Sequence, residues 1–174
     1  MRSSPSTDLE ARIARLEAIE AIKNLKARYW HCCDHKDVEG VRDCFVEGPV
    51  EIHYDGPVGL VNHRDGLHQV FKDVACNLHI VEMHHGGPPR IEVRLPDEAR
   101  AHWGLVYHLM NTEARTISVV GGYYDDEYRR VGGEWLISKA RFTVCSAVTY
   151  GWKDAMVRVL HAGAKLPEPP RQKT

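Results

Sequence analysis

The hydrophobic period of this chain changes once, from 3.6 residues to 2, across Gly86-Gly87-Pro88-Pro89. Before that point apolar residues are spaced for helix faces; after it they alternate with charged residues. Helices followed by a run of strands specify the α+β class, because a parallel α/β sheet would need the two periods to interleave. No internal repeat is present.

The first helix is carried by Leu9, Ile13, Leu16, Ile19, Ile22, Leu25, Tyr29 and Cys32, which share one face. Glu10, Glu17, Glu20, Lys23 and Lys26 fall off that stripe, and Thr7 with Glu10 has capping-box spacing. Asp34-His35-Lys36-Asp37 reads as a turn, with Asp37 capping a short second helix that reaches Phe45 before Gly48-Pro49 stops it. A strand over 50–54, an Asp55-Gly56-Pro57 turn and a third helix over 64–76 follow. Ile91, Val93 and Leu95 then alternate with Arg90, Glu92 and Arg94, and turn signals at Pro96-Asp97-Glu98, Asn111-Thr112-Glu113 and Val131-Gly132-Gly133 separate longer strands ending near Met110, Tyr128 and Thr149. About three helices and five or six strands are expected in a single domain over 1–164, with a disordered tail over 165–174.

Composition excludes several function classes. The 23 Lys+Arg and 24 Asp+Glu are interspersed, so no basic stripe for nucleic acid and no charged tail appear. Apolar runs fall short of the ~20 residues of a membrane span, and Met1 to Asp8 has no signal-peptide centre, so a cytoplasmic protein is expected. Five cysteines, an odd number with no CxxC pair, argue against a disulfide framework or zinc ribbon. There is no Walker loop, strand-linked GxGxxG or GxSxG elbow. Gly121-Gly122 inside a strand pattern marks a bulge or sheet curvature. His31 and His35 stand at i, i+4, but no carboxylate completes a metal site, so no metal is expected.

Chemistry-bearing residues fall in three places. Asp34 ends the first helix, where the dipole disfavours a carboxylate unless solvent or a partner meets it; alone it reads as a solvated turn aspartate. His84 and His85 precede the sheet, and adjacent residues of an extended segment point opposite ways, so one of them at most faces a given cavity. Trp103, Leu105, Tyr107 and Leu109 share a face, opposite His102, Val106 and His108. Arg141 alternates in phase with Trp135, Ile137 and Lys139, and if inward it must meet an anion or polar ligand.

Together these spots resemble the SnoaL-like group of the nuclear-transport-factor-like superfamily, which contains bile-acid dehydratases, scytalone dehydratase and hexachlorocyclohexane dehydrochlorinase. The resemblance spans about Leu16 to Thr149. It is carried by the opening helix Leu16-Glu17-Ala18-Ile19-Glu20-Ala21-Ile22, its Tyr29-x4-Asp34 ending, and Gly121-Gly122-Tyr123-Tyr124-Asp125 followed by Gly133-Glu134-Trp135. It implies a cone: helices packed into a strongly curved antiparallel sheet around a deep pocket. It also implies a cofactor-independent His–Asp dyad, with Asp34 and His84 in those roles, Tyr29 as a further catalytic hydroxyl and Tyr54 at the end of the first strand. The dehydratases' second carboxylate falls here on Tyr107.

From these residues follows an expected lyase: elimination of water, or retro-aldol C–C cleavage releasing a small aldehyde, on a hydroxylated aromatic or steroid-like substrate. His84, Asp34 and Tyr29 are the expected catalytic residues, and Tyr54, Tyr107, Arg141, Trp103 and His85 the expected substrate contacts. A polyketide-cyclase or isomerase, or a non-catalytic binding cone, are the alternatives, and the Asp34–His84 distance discriminates between catalysis and mere binding. Family cones associate through the outer sheet face, whose phase here includes His102, Val106 and His108, so a homo-oligomer is expected, a trimer before a dimer.

Overall fold

The longest strands set the architecture. In a computed structural model of the chain, which describes residues 5–56, 58–94, 96–151 and 157–162, the helices are α1 (Pro5–Asp34), α2 (Val38–Arg42) and α3 (Arg64–Val74). The strands are β1 (Pro49–Tyr54), β2 (Gly59–His63), β3 (Ile80–Gly86), β4 (Arg90–Arg94), β5 (Glu98–Asn111), β6 (Thr116–Val131), β7 (Glu134–Gly151) and β8 (Val157–Ala162). They form one sheet of order β2-β1-β7-β6-β5-β3, with β4 also paired to β5 and β8 to β7. Every pairing is antiparallel except β1 on β7. The three helices pack on this sheet around a core containing Ile22, Phe45, Ile52 and Ile137, all fully buried. The α+β class and the cone around a pocket thus stand, with eight strands rather than five or six.

Two slips in the β6–β7 ladder, between Gly121 and Gly122 and between Glu127 and Tyr128, bend these strands. At the first, a Cβ on Gly122 would lie 2.4 Å from the Thr143 carbonyl, so only glycine permits that approach.

Four sequence expectations are corrected. The stripe on α1 divides: Leu9, Ile13 and Leu16 are exposed, while Ile22, Leu25, Tyr29 and Cys32 are buried, because only the second half of the helix lies on the sheet. Lys26, expected on the outer side, is fully buried. Thr7 lies inside the first turn of a helix that begins at Pro5, not at its cap. Strands β2, β3 and β8 were not expected. Asp37 does cap α2, its carboxylate accepting from the Gly40 amide. The expected tail over 165–174, Pro57 of the first turn and Leu95 lie outside the described residues. Among the described residues no helix is long and apolar enough to cross a membrane.

Candidate active site

The helix ending at Asp34 closes by a Schellman arrangement: the Lys36 amide donates to the Cys33 carbonyl and the Asp37 amide to that of Cys32. Lys36 occupies the left-handed position, φ +60°, where glycine is usual. This closure leaves the Asp34 carboxylate at the negative end of α1, beside β3. The partner that the dipole demands is His84: its Nδ1 lies 2.6 Å from Asp34 Oδ1, and its backbone N–H donates to both carboxylate oxygens at 3.2 Å. Burial pushes the Asp34 carboxyl up, but the hydrogen bonds from the His84 ring and backbone, and the imidazole's charge, outweigh it and hold the group below its ordinary value.

Strand β3 turns Ile80, Glu82 and His84 toward a cavity of about 490 Å³ between sheet and helices, while Val81, Met83 and His85 face outward and are exposed. The choice between the two histidines is thereby made: His84 lines the cavity, and His85 lies by His108 on the outer face. Leu105, Tyr107 and Leu109 of β5 line it as their phase predicts, and α3 closes it with Leu67, Val70 and Phe71. Tyr29 and Tyr54 both reach the wall, their hydroxyls 2.9 Å apart. Burial first, then neighbouring acidic groups, holds both phenols well above their ordinary pKa, so they are protonated hydrogen-bonding groups.

Glu82 was missed by the sequence reading. Its side chain is 5% exposed; Tyr107 Oη donates to Oε2 at 2.5 Å and Lys36 Nζ to Oε1 at 2.5 Å. Glu82 therefore places a carboxylate at the cavity wall, on the strand paired with that of Tyr107. The signal was its i, i+2 phase with His84, hidden because β3 turns the apolar Val81 and Met83 outward.

Deeper in the core, Lys26 Nζ stands 2.8 Å from Asp126 Oδ2 and 3.5 Å from the centre of the Tyr124 ring. Tyr128 donates to the same Asp126 oxygen at 2.8 Å and accepts from Trp103 Nε1 at 3.0 Å. Burial drives both charged groups toward neutrality, Lys26 down and Asp126 up, each partly offset by the other.

Two expected substrate contacts lie elsewhere. Trp103 is buried in that core network, packed edge-on against Trp30, and does not line the cavity. Arg141 is exposed on the outer face, because the slip at Glu127/Tyr128 inserts Ser138 into β7 and reverses the phase read from Trp135 and Ile137. It borders a groove of about 510 Å³ with Arg90, Glu92, Arg100, Asp125 and Glu127. That groove is as large as the cavity, but it is a charged surface on which Arg100 pairs with Glu127 at 3.2 Å and the exposed His102 with the exposed Asp125 at 2.7 Å. The His31 and His35 rings lie 3.9 Å apart, tilted by 31°, and among the described residues no three His, Cys, Asp or Glu side chains are placed to hold a metal.

Solved structures share this architecture. A candidate scytalone dehydratase from Novosphingobium aromaticivorans DSM 12444 is 19% identical, with 90% of this chain and 99% of that one covered and a TM-score of 0.73. A type 2 hexachlorocyclohexane dehydrochlorinase, LinA, is 18% identical over 92% and 99%, at 0.70. ActVI-ORFA from Streptomyces coelicolor is 14% identical over 74% and 97%, at 0.62. At such identities these likenesses concern the fold. The SnoaL-like domain profile matches residues 14–141, most of the chain and every residue of the dyad wall described above. By that match and this architecture, the chain belongs to the SnoaL-like domain family of the nuclear-transport-factor-like superfamily.

Proposed function

We propose that the protein is a cofactor-independent lyase that eliminates water, or cleaves a C–C bond by retro-aldol chemistry, on a hydroxylated aromatic or steroid-like substrate. The observation that carries this reading is the 2.6 Å contact of Asp34 with His84 Nδ1 at the wall of an apolar cavity. With its Nδ1–H donated to Asp34, the imidazole keeps Nε2 as the basic nitrogen, and Asp34 stabilises the imidazolium formed when Nε2 takes a proton. In dehydration that proton comes from carbon, the C–H electron pair forms the double bond, and the departing hydroxide takes the proton back from the imidazolium to leave as water. In retro-aldol cleavage Nε2 takes a hydroxyl proton, the C–C bond breaks as the carbonyl forms, and the carbanion recovers the proton. Neither route needs a redox partner. Tyr29 and Tyr54 share one hydrogen bond, so one of the two phenolic protons is left to donate to oxygen in the transition state, where fixed donors act most strongly. The relatives' names, a dehydratase and a dehydrochlorinase, support elimination over simple binding.

The test is His84→Ala and Asp34→Asn against a panel of β-hydroxy aromatic compounds and hydroxysteroids, with products identified by mass spectrometry. Loss of water or of an aldehyde from one panel member, slowed by about 10²–10⁴-fold in each folded variant, is the expected result. Full turnover in both variants would remove the dyad from the mechanism. Association between copies through the outer sheet face belongs to the same proposal, since Val81, Met83 and Val106 are exposed there; sedimentation equilibrium showing only monomer at micromolar concentration would refute it.

A further inference from the structure

The dyad accounts for one side of the cavity and leaves Glu82 without a role. A carboxylate 5% exposed is costly unless every oxygen is met. Here both are met, Oε1 by the Lys36 ammonium and Oε2 by the Tyr107 hydroxyl, each at 2.5 Å. Lys36 reaches Glu82 from a left-handed backbone position, φ +60°. A glycine would hold that helix end with less strain, so what the lysine adds is its ammonium. The Tyr107 ring lies 4.8 Å from the ring of His84, directly across the β3–β5 ladder. Both Tyr107 and Glu82 face the cavity.

The consequence is a directional one. A phenol has one proton and two acceptor lone pairs. Burial, and then the charge and hydrogen bond of Glu82, keep the Tyr107 phenol protonated and its proton turned to the carboxylate. Toward the cavity Tyr107 can therefore accept a hydrogen bond and cannot give one.

We propose that Tyr107, held by Glu82 and Lys36, is an acceptor subsite that takes a hydrogen bond from a free hydroxyl of the substrate, a phenol or alcohol, beside the base His84. This rests on the cavity being the substrate site, and it narrows the substrate class: a ligand whose hydroxyl there is capped as an ether presents an acceptor to an acceptor. Tyr107 is the contacting residue; Glu82 and Lys36 are positioning residues that fix its proton.

Binding tests this without turnover. Biphenyl, 4-hydroxybiphenyl and 4-methoxybiphenyl are titrated into the protein and followed by its intrinsic fluorescence. The expected result is that the phenol binds roughly 10–100-fold more tightly than its methyl ether. Tyr107→Phe should bring that ratio to about one while biphenyl binds as before. Glu82→Leu frees the Tyr107 proton to donate, so the preference should shift toward the methyl ether. Lys36→Met should weaken the preference a few-fold with biphenyl unchanged, which a merely structural lysine would not do. Biphenyl bound with no preference for the hydroxyl, or a preference that survives Tyr107→Phe, overturns the inference alone. Failure of all three probes to bind overturns it together with the reading of the cavity as a ligand site.

Discussion

Two ionic clusters gather at the C-terminal half of α1, Lys26–Asp126 in the core and Asp34–His84 with Lys36–Glu82 at the helix end, and they differ in what they leave open. Lys26 and Asp126 have side chains fully out of solvent, and aromatic rings surround the ammonium. Asp34–His84 and Lys36–Glu82 are pairs with 19% and 10%, and 26% and 5%, of their side chains exposed, and His84 and Glu82 line the cavity. An enclosed pair can fix a fold but cannot exchange protons with a ligand. A pair at a cavity wall can do both. Lys26, lowered by burial, has the chemistry of a reactive amine, yet it is absent from the cavity wall that Tyr29 and Tyr124 line, so its chemistry is structural.

The comparison breaks first at Lys26. Removing one member of a buried pair leaves the other charge uncompensated, so Lys26→Met should cost about 3–5 kcal/mol in urea unfolding. Adding Asp126→Leu should restore much of that loss, because an apolar pair replaces an ionic one. A Lys26→Met protein of native stability would show that Asp126 is already neutral there.

A second break lies between the clusters, at Gly86. A Cβ there would meet the Trp30 ring at 2.0 Å, so Gly86→Ala must shift either Trp30, which covers Lys26, or the end of β3, which carries His84. Overpacking of this kind typically costs about 1–3 kcal/mol. If the site is the softer of the two regions, activity falls further than stability does; the reverse would place the give in the core.

How much of this was legible in the sequence depends on whether position or partner was needed. The change of period gave the class, and the helix end gave Asp34, because local spacing decides both. The alternation of adjacent residues showed that at most one of His84 and His85 faces a given cavity, but not which, since that depends on β3, whose inward Glu82 and His84 are polar while Val81 and Met83 are exposed. Arg141 was misplaced because one inserted residue, Ser138, reverses the phase of a strand, and no local signal marks it. Lys26 was misread although Ile22 and Tyr29 share its face at helical spacing. A lysine is ordinarily outside, and only the distant Asp126 explains its burial.

Acid should separate the clusters by sign. The Asp34 carboxyl is held below its ordinary value by His84, so its contribution to stability is present above the unfolded-chain value near pH 4 and is lost as pH falls through the lower folded value. Asp126 is shifted upward, so protonating it on acidification favours the folded state relative to its ionised form. Asp34→Asn should therefore flatten the decline of stability below about pH 4, measured by urea midpoints across a pH series. An unchanged decline would mean that the Asp34–His84 contact adds no pH-dependent stability.

The smallest effect isolates the strain at Lys36. Lys36→Gly and Lys36→Ala both remove the ammonium from Glu82, so the lost ion pair cancels in their difference. What remains is the backbone. A Cβ in the left-handed region costs about 1–2 kcal/mol, and glycine returns about 0.4–1 of that through the entropy of the unfolded chain. The glycine variant should therefore be the more stable by about 0.5–1 kcal/mol, read as a difference in urea midpoint at constant slope. Both variants should also lose the hydroxyl preference to a similar degree, since neither carries the charge that fixes the Tyr107 proton through Glu82. Equal stabilities would show that the helix end accepts a side chain without strain, and Lys36 would then need no function to explain its place.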